Sequence, residues 1–190
     1  MTDCRNDIVA WGHWAISNKH QFTYTEGATR MAEIGEAGHL PVTCDCSAFV
    51  TLCYNWAGVH SDPNGQHYDH EGYTGTLLAN GIEVPLHAVA PGDVVIYGAG
   101  TGEHAALIIE NHNGRDIMTI SMGQEGDPSY VWVNAPVTVP DKGVGHDSRM
   151  PQRFLRFNTT GTPHTPPAVQ AAAPAVQAAE QLVAEEPKEE

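Results

Sequence analysis

The sequence predicts an α+β fold in which helices come first and a meandering antiparallel sheet follows. Apolar residues recur at helical spacing through the first third of the chain, whereas short apolar runs separated by turn residues fill the region from Asp93 onward. The dipeptide Asn113-Gly114, a strong hairpin signal, lies between two of those runs and marks that region as antiparallel.

Ile8, Trp11, Ala15 and Ile16 fall on one face of a helix expected from about Asp3 to Asn18, with Asp3 or Asp7 near its start. A weaker helical stretch is expected over Gly27–Gly38, with Met31 and Ile34 inside it. The third helix runs from Asp45 to about Trp56 and stops at Gly58, burying Phe49, Val50, Cys53 and Trp56 or Ala57. Ser61–Gly75, full of Pro, Gly, Asn and Asp, reads as a loop. Strands are expected at Asp93–Tyr97, Ala105–Glu110, Ile117–Met122 and Tyr130–Val133, with Phe154–Phe157 closing the sheet. Composition changes at Gly161: every Trp, Tyr and Phe precedes it, and Pro-Ala-Val-Gln-Ala-Ala occurs twice after it. One domain is therefore expected over residues 1–160, followed by a flexible Ala/Pro/Gln/Glu-rich tail over 161–190.

With 23 Asp and Glu against 9 Lys and Arg, the 190-residue chain carries a formal charge of −14, which argues against nucleic acid as a partner. No window approaches 18 consecutive apolar residues, so no membrane-spanning helix is expected. The first residues lack the basic start and apolar run of a signal peptide, so the protein is expected to be made in a cytoplasm with its four cysteines reduced. Cys44 and Cys46 do not have the spacing of a zinc knuckle.

Cys46 opens the third helix directly after Asp45, where unpaired N–H groups favour a thiolate. That effect is about 0.3–1 kcal/mol at an exposed site, one pKa unit or less, so a base is also needed. His104 is the expected partner. It follows the glycine-rich turn Gly98–Gly102 and begins the apolar strand Ala105–Ile109, and an imidazolium–thiolate pair with Cys46 would supply the activation that the helix lacks. Cys53 falls in the apolar stripe and reads as packing, and Cys44 points away from the site if its approach is extended. His67-Tyr68-Asp69-His70 has ligand-like residue types, but no third ligand is specified. No metal and no cofactor are expected, and His67 and His70 are read as loop residues that contact substrate.

Asp45-Cys46-Ser47-Ala48-Phe49-Val50 resembles the Asp-Cys-Ser-Gly-Phe-Val block of the NlpC-type, papain-like cysteine peptidases. Pro91-Gly92-Asp93-Val94-Val95-Ile96-Tyr97, followed by His104-Ala105-Ala106-Leu107-Ile108, resembles that family's second block. The resemblance covers about residues 5–157 and is greatest to the N-terminal peptidase domains of endolysins from phages of actinobacteria. It implies a papain-like fold with the nucleophile at a helix N-terminus, packed on an antiparallel sheet. It further implies cleavage of peptide bonds in bacterial peptidoglycan for host lysis, with Cys46 as nucleophile and His104 as base, by a monomer without nucleic-acid or membrane partners. The enzyme would wait in the host cytoplasm before acting at the wall. Asp45 and Ser47, beside the thiol, are expected at the substrate. Tyr24 stands where such peptidases carry a site-lining tyrosine, and serves either packing or the oxyanion.

Similar lysins are expected to carry Ser-His-Gly on the next strand, its His orienting the base; this chain reads Ser121-Met122-Gly123. A thioether is a weak acceptor for a ring N–H. Gln124 or a shifted Ser121 is therefore expected to substitute, unless the dyad works alone. Two other readings share these residues: a thiol amidase cutting between muramic acid and L-Ala, and an inactive wall-binding or virion protein.

Overall fold

The computed structural model describes residues 1–112, 114–123, 126–134 and 144–167. Strand β1 (Thr2–Asp3) leads into helix α1 (Arg5–Ser17). Strands β2 (Phe22–Tyr24) and β3 (Val42–Cys44) pair in parallel, and helix α2 (Cys46–Trp56) follows directly. After a loop come helix α3 (Thr74–Asn80) and strand β4 (Ile82–Glu83). The remaining strands are β5 (Val94–Tyr97), β6 (His104–His112), β7 (Asp116–Met122), β8 (Pro128–Val133), β9 (Gly145–Asp147), β10 (Gln152–Arg156) and β11 (Thr160–Gly161). Among the described residues the main sheet has the order β4-β10-β5-β6-β7-β8-β9, antiparallel except for the β8–β9 pair. The α+β expectation holds; the strand expected to close the sheet over Phe154–Phe157 is β10, which lies one strand inside the edge, between β4 and β5.

The two faces of the sheet bury different things. Ala105, Leu107, Ile120 and Met122 join Ile8, Trp11, Phe49 and Leu52 in the core between sheet and helices. Val95, Tyr97, Ala106, Ile108, Ile117 and Phe154 form a second apolar cluster on the other face. Trp11 touches Trp14 and Trp56 with ring centroids 5.3 Å away in each case, so α1 and α2 meet through aromatic edges. Asp93, from the Pro-Gly-Asp segment, is fully buried and ties the two ends of the domain together. It meets Arg5 at 2.8 Å and Arg156 at 2.7 Å. That segment's aspartate is structural, since its buried carboxylate is held by two partly exposed guanidiniums.

Three expectations change. Gly27–Gly38 is not a helix but a run of three-residue turns, such as Arg30 N–H to Gly27 O and Ile34 N–H to Met31 O. Its backbone groups are used in tertiary contacts instead: Glu33 O accepts from Trp56 Nε1, and Gly35 N–H donates to Asn55 Oδ1. The α3 helix was not anticipated; it is short, with its start held by a reciprocal pair of bonds between Tyr73 and Thr76. Finally, Gly161 to Pro167, expected in the tail, is bound to the domain. Gly161 pairs with Thr2, Trp11 Nε1 donates to His164 O at 2.7 Å, and His164 N–H donates to Ala57 O. The turn expected at Asn113-Gly114 is seen only at Gly114, with φ 69°, because Asn113 lies outside the described residues.

Candidate active site

The approach to Cys46 is a strand because Val42 and Cys44 bury alternate side chains while Thr43 points outward. Asp45 stays extended (φ −95°, ψ −174°) and caps α2, its Oδ1 accepting from Ala48 N–H at 2.7 Å and from Ser47 Oγ at 2.8 Å. Such a cap contributes about 1 kcal/mol to the helix. Asp45 Oδ2 faces Arg30 Nη1 at 3.2 Å. Two of the four residues expected at the substrate have partners within the fold: Asp45 in a cap and an ion pair, Ser47 in a hydrogen bond to Asp45.

Cys46 is 7% exposed. Burial pushes its thiol up to about 11, and the Asp45 charge adds to this. The N–H groups of Ala105, Ser47 and Cys46 itself pull the other way by donating toward the sulfur. The Ala105 contact places the sulfur at the foot of the very strand that His104 begins. His104 is 8% exposed, and its imidazole stacks on Tyr97 with centroids 5.9 Å apart. Burial, reinforced by the Arg149 charge, pushes it down to about 4, against smaller opposing effects of Asp147 and Asp45. Burial therefore disfavours both charges of the expected imidazolium–thiolate pair. The same burial favours the uncharged thiol and the uncharged imidazole.

His104 Nε2 lies 2.6 Å from Ser121 Oγ. The pairing of Ala106 with Ser121 explains why: opposed residues share a face, and His104 is two residues from Ala106 on the same face. Met122, on the other face, is fully buried among the helix-side core residues. The expectation that position 122 faces the imidazole is off by one residue, and Ser121 needs no shift to reach it. Gln124 lies outside the described residues. His112, paired with Glu110 at 2.9 Å, is at the far end of β6, roughly 25 Å away along the strand.

A cleft of about 760 Å³ opens beside His104 and Ser121, with Tyr24, Glu26, Tyr130 and Arg149 among its other walls. Tyr24 is carried there by the pairing of β2 with β3, opposite Cys44. Its hydroxyl donates to Glu26 Oε1 at 3.0 Å, and burial together with that bond keeps it protonated. His67 and His70 are exposed and do not line the cleft; both take left-handed backbone (φ 57° and 69°) in a loop organised by Asp62, whose carboxylate accepts N–H groups of Asn64, Gln66 and Tyr68. His70 Nδ1 instead meets Met31 O at 2.8 Å. Among the described residues no three His, Cys, Asp or Glu side chains gather as a metal site. Cys4, Cys44 and Cys53 are buried, and burial pushes the thiols of all three up.

Sequence reasoning missed Glu26, Tyr130, Asp147 and Arg149. None belongs to a local pattern; they meet only because β8, β9 and the segment leading into β10 fold back beside β6 and β7. Arg30 was missed as well, although an Asp before a helix start is itself a signal that a nearby cation could pair with it.

The profile of the NlpC/P60 family matches residues 24–124, a span that includes Tyr24, Cys46, His104 and Ser121. No curated protein matches the chain. Among solved structures, the peptidoglycan hydrolase RipB from Mycobacterium tuberculosis is similar at 18% identity and a TM-score of 0.45, over 80% of this chain and 65% of that one. A hypothetical invasion protein of Mycobacterium tuberculosis is similar at 17% identity and a TM-score of 0.47, over 80% of this chain and 62% of that one. The chain thus spans less than two thirds of either structure.

Proposed function

The chain belongs to the NlpC/P60 family, and from that premise we propose that it is a cysteine peptidase hydrolysing peptide bonds of bacterial peptidoglycan. One observation carries the reading: the His104 imidazole is held through Nε2 by Ser121 Oγ at 2.6 Å beside the cleft, and the backbone N–H of the adjoining Ala105 lowers the pKa of the Cys46 thiol. With Nε2 engaged, Nδ1 is left for the thiol.

In the reaction, Cys46 Sγ attacks the scissile carbonyl as His104 takes its proton. The oxyanion meets backbone N–H groups at the start of α2, joined by the Tyr24 hydroxyl if it turns from Glu26. His104 then protonates the leaving amine. The acyl-enzyme is cleaved by water, which His104 activates in turn, regenerating the thiol. Ser121 keeps the ring oriented throughout, in the place where a histidine was expected at position 122.

The finer role we propose is lysis of a bacterial host, as in phage endolysins, supported by the likeness of the Asp45–Val50 and Pro91–Ile108 segments to endolysin peptidase domains. The protein treated with purified cell walls should release new amino termini, and Cys46→Ala should release none; equal release by both ends the proposal. Fragment masses then separate peptidase from amidase, since only an amidase frees intact stem peptides from glycan. For the lytic role, the expected outcome is clearing of a bacterial culture when the gene is expressed with a membrane-permeabilising partner; clearing that is no faster with wild type than with Cys46→Ala argues against it.

A further inference from the structure

Among the described residues that line the cleft, Arg149 is the only Lys or Arg. It shares the cleft with Glu26, Glu103, Asp147 and the neutral His104. The guanidinium is fixed on two sides. Its Nε donates to both carboxylate oxygens of Asp147 at 3.0 Å, and Nη2 donates to Oδ2. Its Cζ lies 5.6 Å from the centroid of the Tyr97 ring, the ring that also stacks on His104. Asp147 additionally accepts the backbone N–H of Arg149, so the pair is locked as a unit.

This leaves one edge. Nη1 has no hydrogen-bond partner among the described residues, and the side chain is 47% exposed. A guanidinium has five N–H donors in a rigid plane, and its end-on edge matches a second planar carboxylate. We infer that Arg149 is the specificity-determining group of this cleft and takes a free carboxylate of the bound peptide. The inference rests on the peptidase reading above and names the chemistry of its substrate. Peptidoglycan stem peptides offer that chemistry, because a glutamate linked through its side chain keeps its α-carboxylate free unless it is amidated. The acidic neighbours sharpen the choice. Glu26 and Glu103 repel a carboxylate from the walls away from Arg149, so an anionic peptide has one place among the described residues to put its charge and hence one register beside His104.

The test uses the full chain carrying Cys46→Ala and two peptides, L-alanyl-γ-D-glutamyl-L-lysine and the same peptide with the glutamyl α-carboxylate converted to carboxamide. Dissociation constants are measured by titration calorimetry. The acid is expected to bind about 10- to 100-fold more tightly than the amide, the range of a charge-assisted pair. Adding Arg149→Gln should abolish the preference by weakening the acid alone, and Arg149→Lys should retain part of it. Because the comparison changes the ligand, it does not depend on the variants being equally stable. Equal constants for the two peptides, binding of neither, or a preference that survives Arg149→Gln overturns the inference. Its failure is separable from that of the peptidase reading: wall cleavage that requires Cys46, without carboxylate preference, sinks only the role of Arg149, and cleavage independent of Cys46 sinks the reading beneath it.

Discussion

The two faces of the β6–β7 pair are built from alternate residues of the same strands, yet one packs only the helix-side core while the other joins a second apolar cluster to the polar residues of the candidate site. Ala105, Leu107, Ile120 and Met122 pack against α1 and α2 with no exposed polar group among them. One residue out of step, His104 and Ser121 meet at 2.6 Å beside the cleft. The contrast teaches how little separates a buried methionine from a residue that orients a base. The strand has a period of two, and the pairing register alone decides which set faces the site.

The largest effect expected from breaking the chemical face comes from His104→Ala. It should lower kcat/KM on cell-wall peptides by on the order of 10,000-fold, about as much as removing the thiol, because nucleophile and base act as a unit. Chemical unfolding should show little change, which a urea titration checks. The core face should respond in the opposite sense. Met122→Ala should cost about 2–5 kcal/mol of stability, the range for removing a fully buried methionine, with kcat/KM nearly unchanged while the protein stays folded. Met122→His is sharper still. If position 122 oriented the imidazole this change would raise activity, whereas the observed packing predicts only destabilisation.

Smaller effects probe the contact between the faces' polar members. Ser121→Ala should reduce kcat by about 10-fold, the scale of one hydrogen bond, and Ser121→Thr should recover most of it. The acid limb of the pH–rate profile gives the finest test. His104 must be neutral to accept the thiol proton, and burial has moved its protonation from 6.5 down to about 4. Activity should therefore persist at pH 5.5 to 6 (about 2 units above that protonation) and fall only as the pH nears about 4. A limb near 6.5 would mean that the site is more open to water than its packing implies. The same shift carries a stability sign: the unfolded chain takes up the proton first, so the contribution of the neutral ring is complete above 6.5 and is lost as pH falls through about 4.

Much of this was legible beforehand, and the pattern of what was not is physical. The α1 and α2 helices followed from apolar spacing, a capping Asp45 and a terminating Gly58, all of which act within a few residues. Cys46 and His104 were identified from a helix start and a strand start, again local features. The segment Gly27–Gly38 misled, because helical spacing of Met31 and Ile34 also suits consecutive turns whose backbone groups bond to α2. The partners of Asp45 and Ser47, Arg30 and each other, were not legible, because Arg30 comes from another segment and the Asp45–Ser47 bond depends on the helix start. The end of the domain was set too early because Thr162–Pro167 lacks aromatic residues of its own and is held by Trp11 and Ala57 from elsewhere in the chain.

By itself the sequence determined α1, α2 and the central strands and pointed to Cys46 and His104 as candidate nucleophile and base, since periodicity, capping and side-chain identity are properties of neighbouring residues. Tertiary structure decided three things that neighbours cannot: that Ser121 rather than Met122 faces His104, that burial disfavours charge on both Cys46 and His104, and that Arg149 stands in the cleft. Each depends on distant strands coming together, through the register of β6 on β7, the burial that removes water from both groups, and the return of the chain after β9 beside Tyr97.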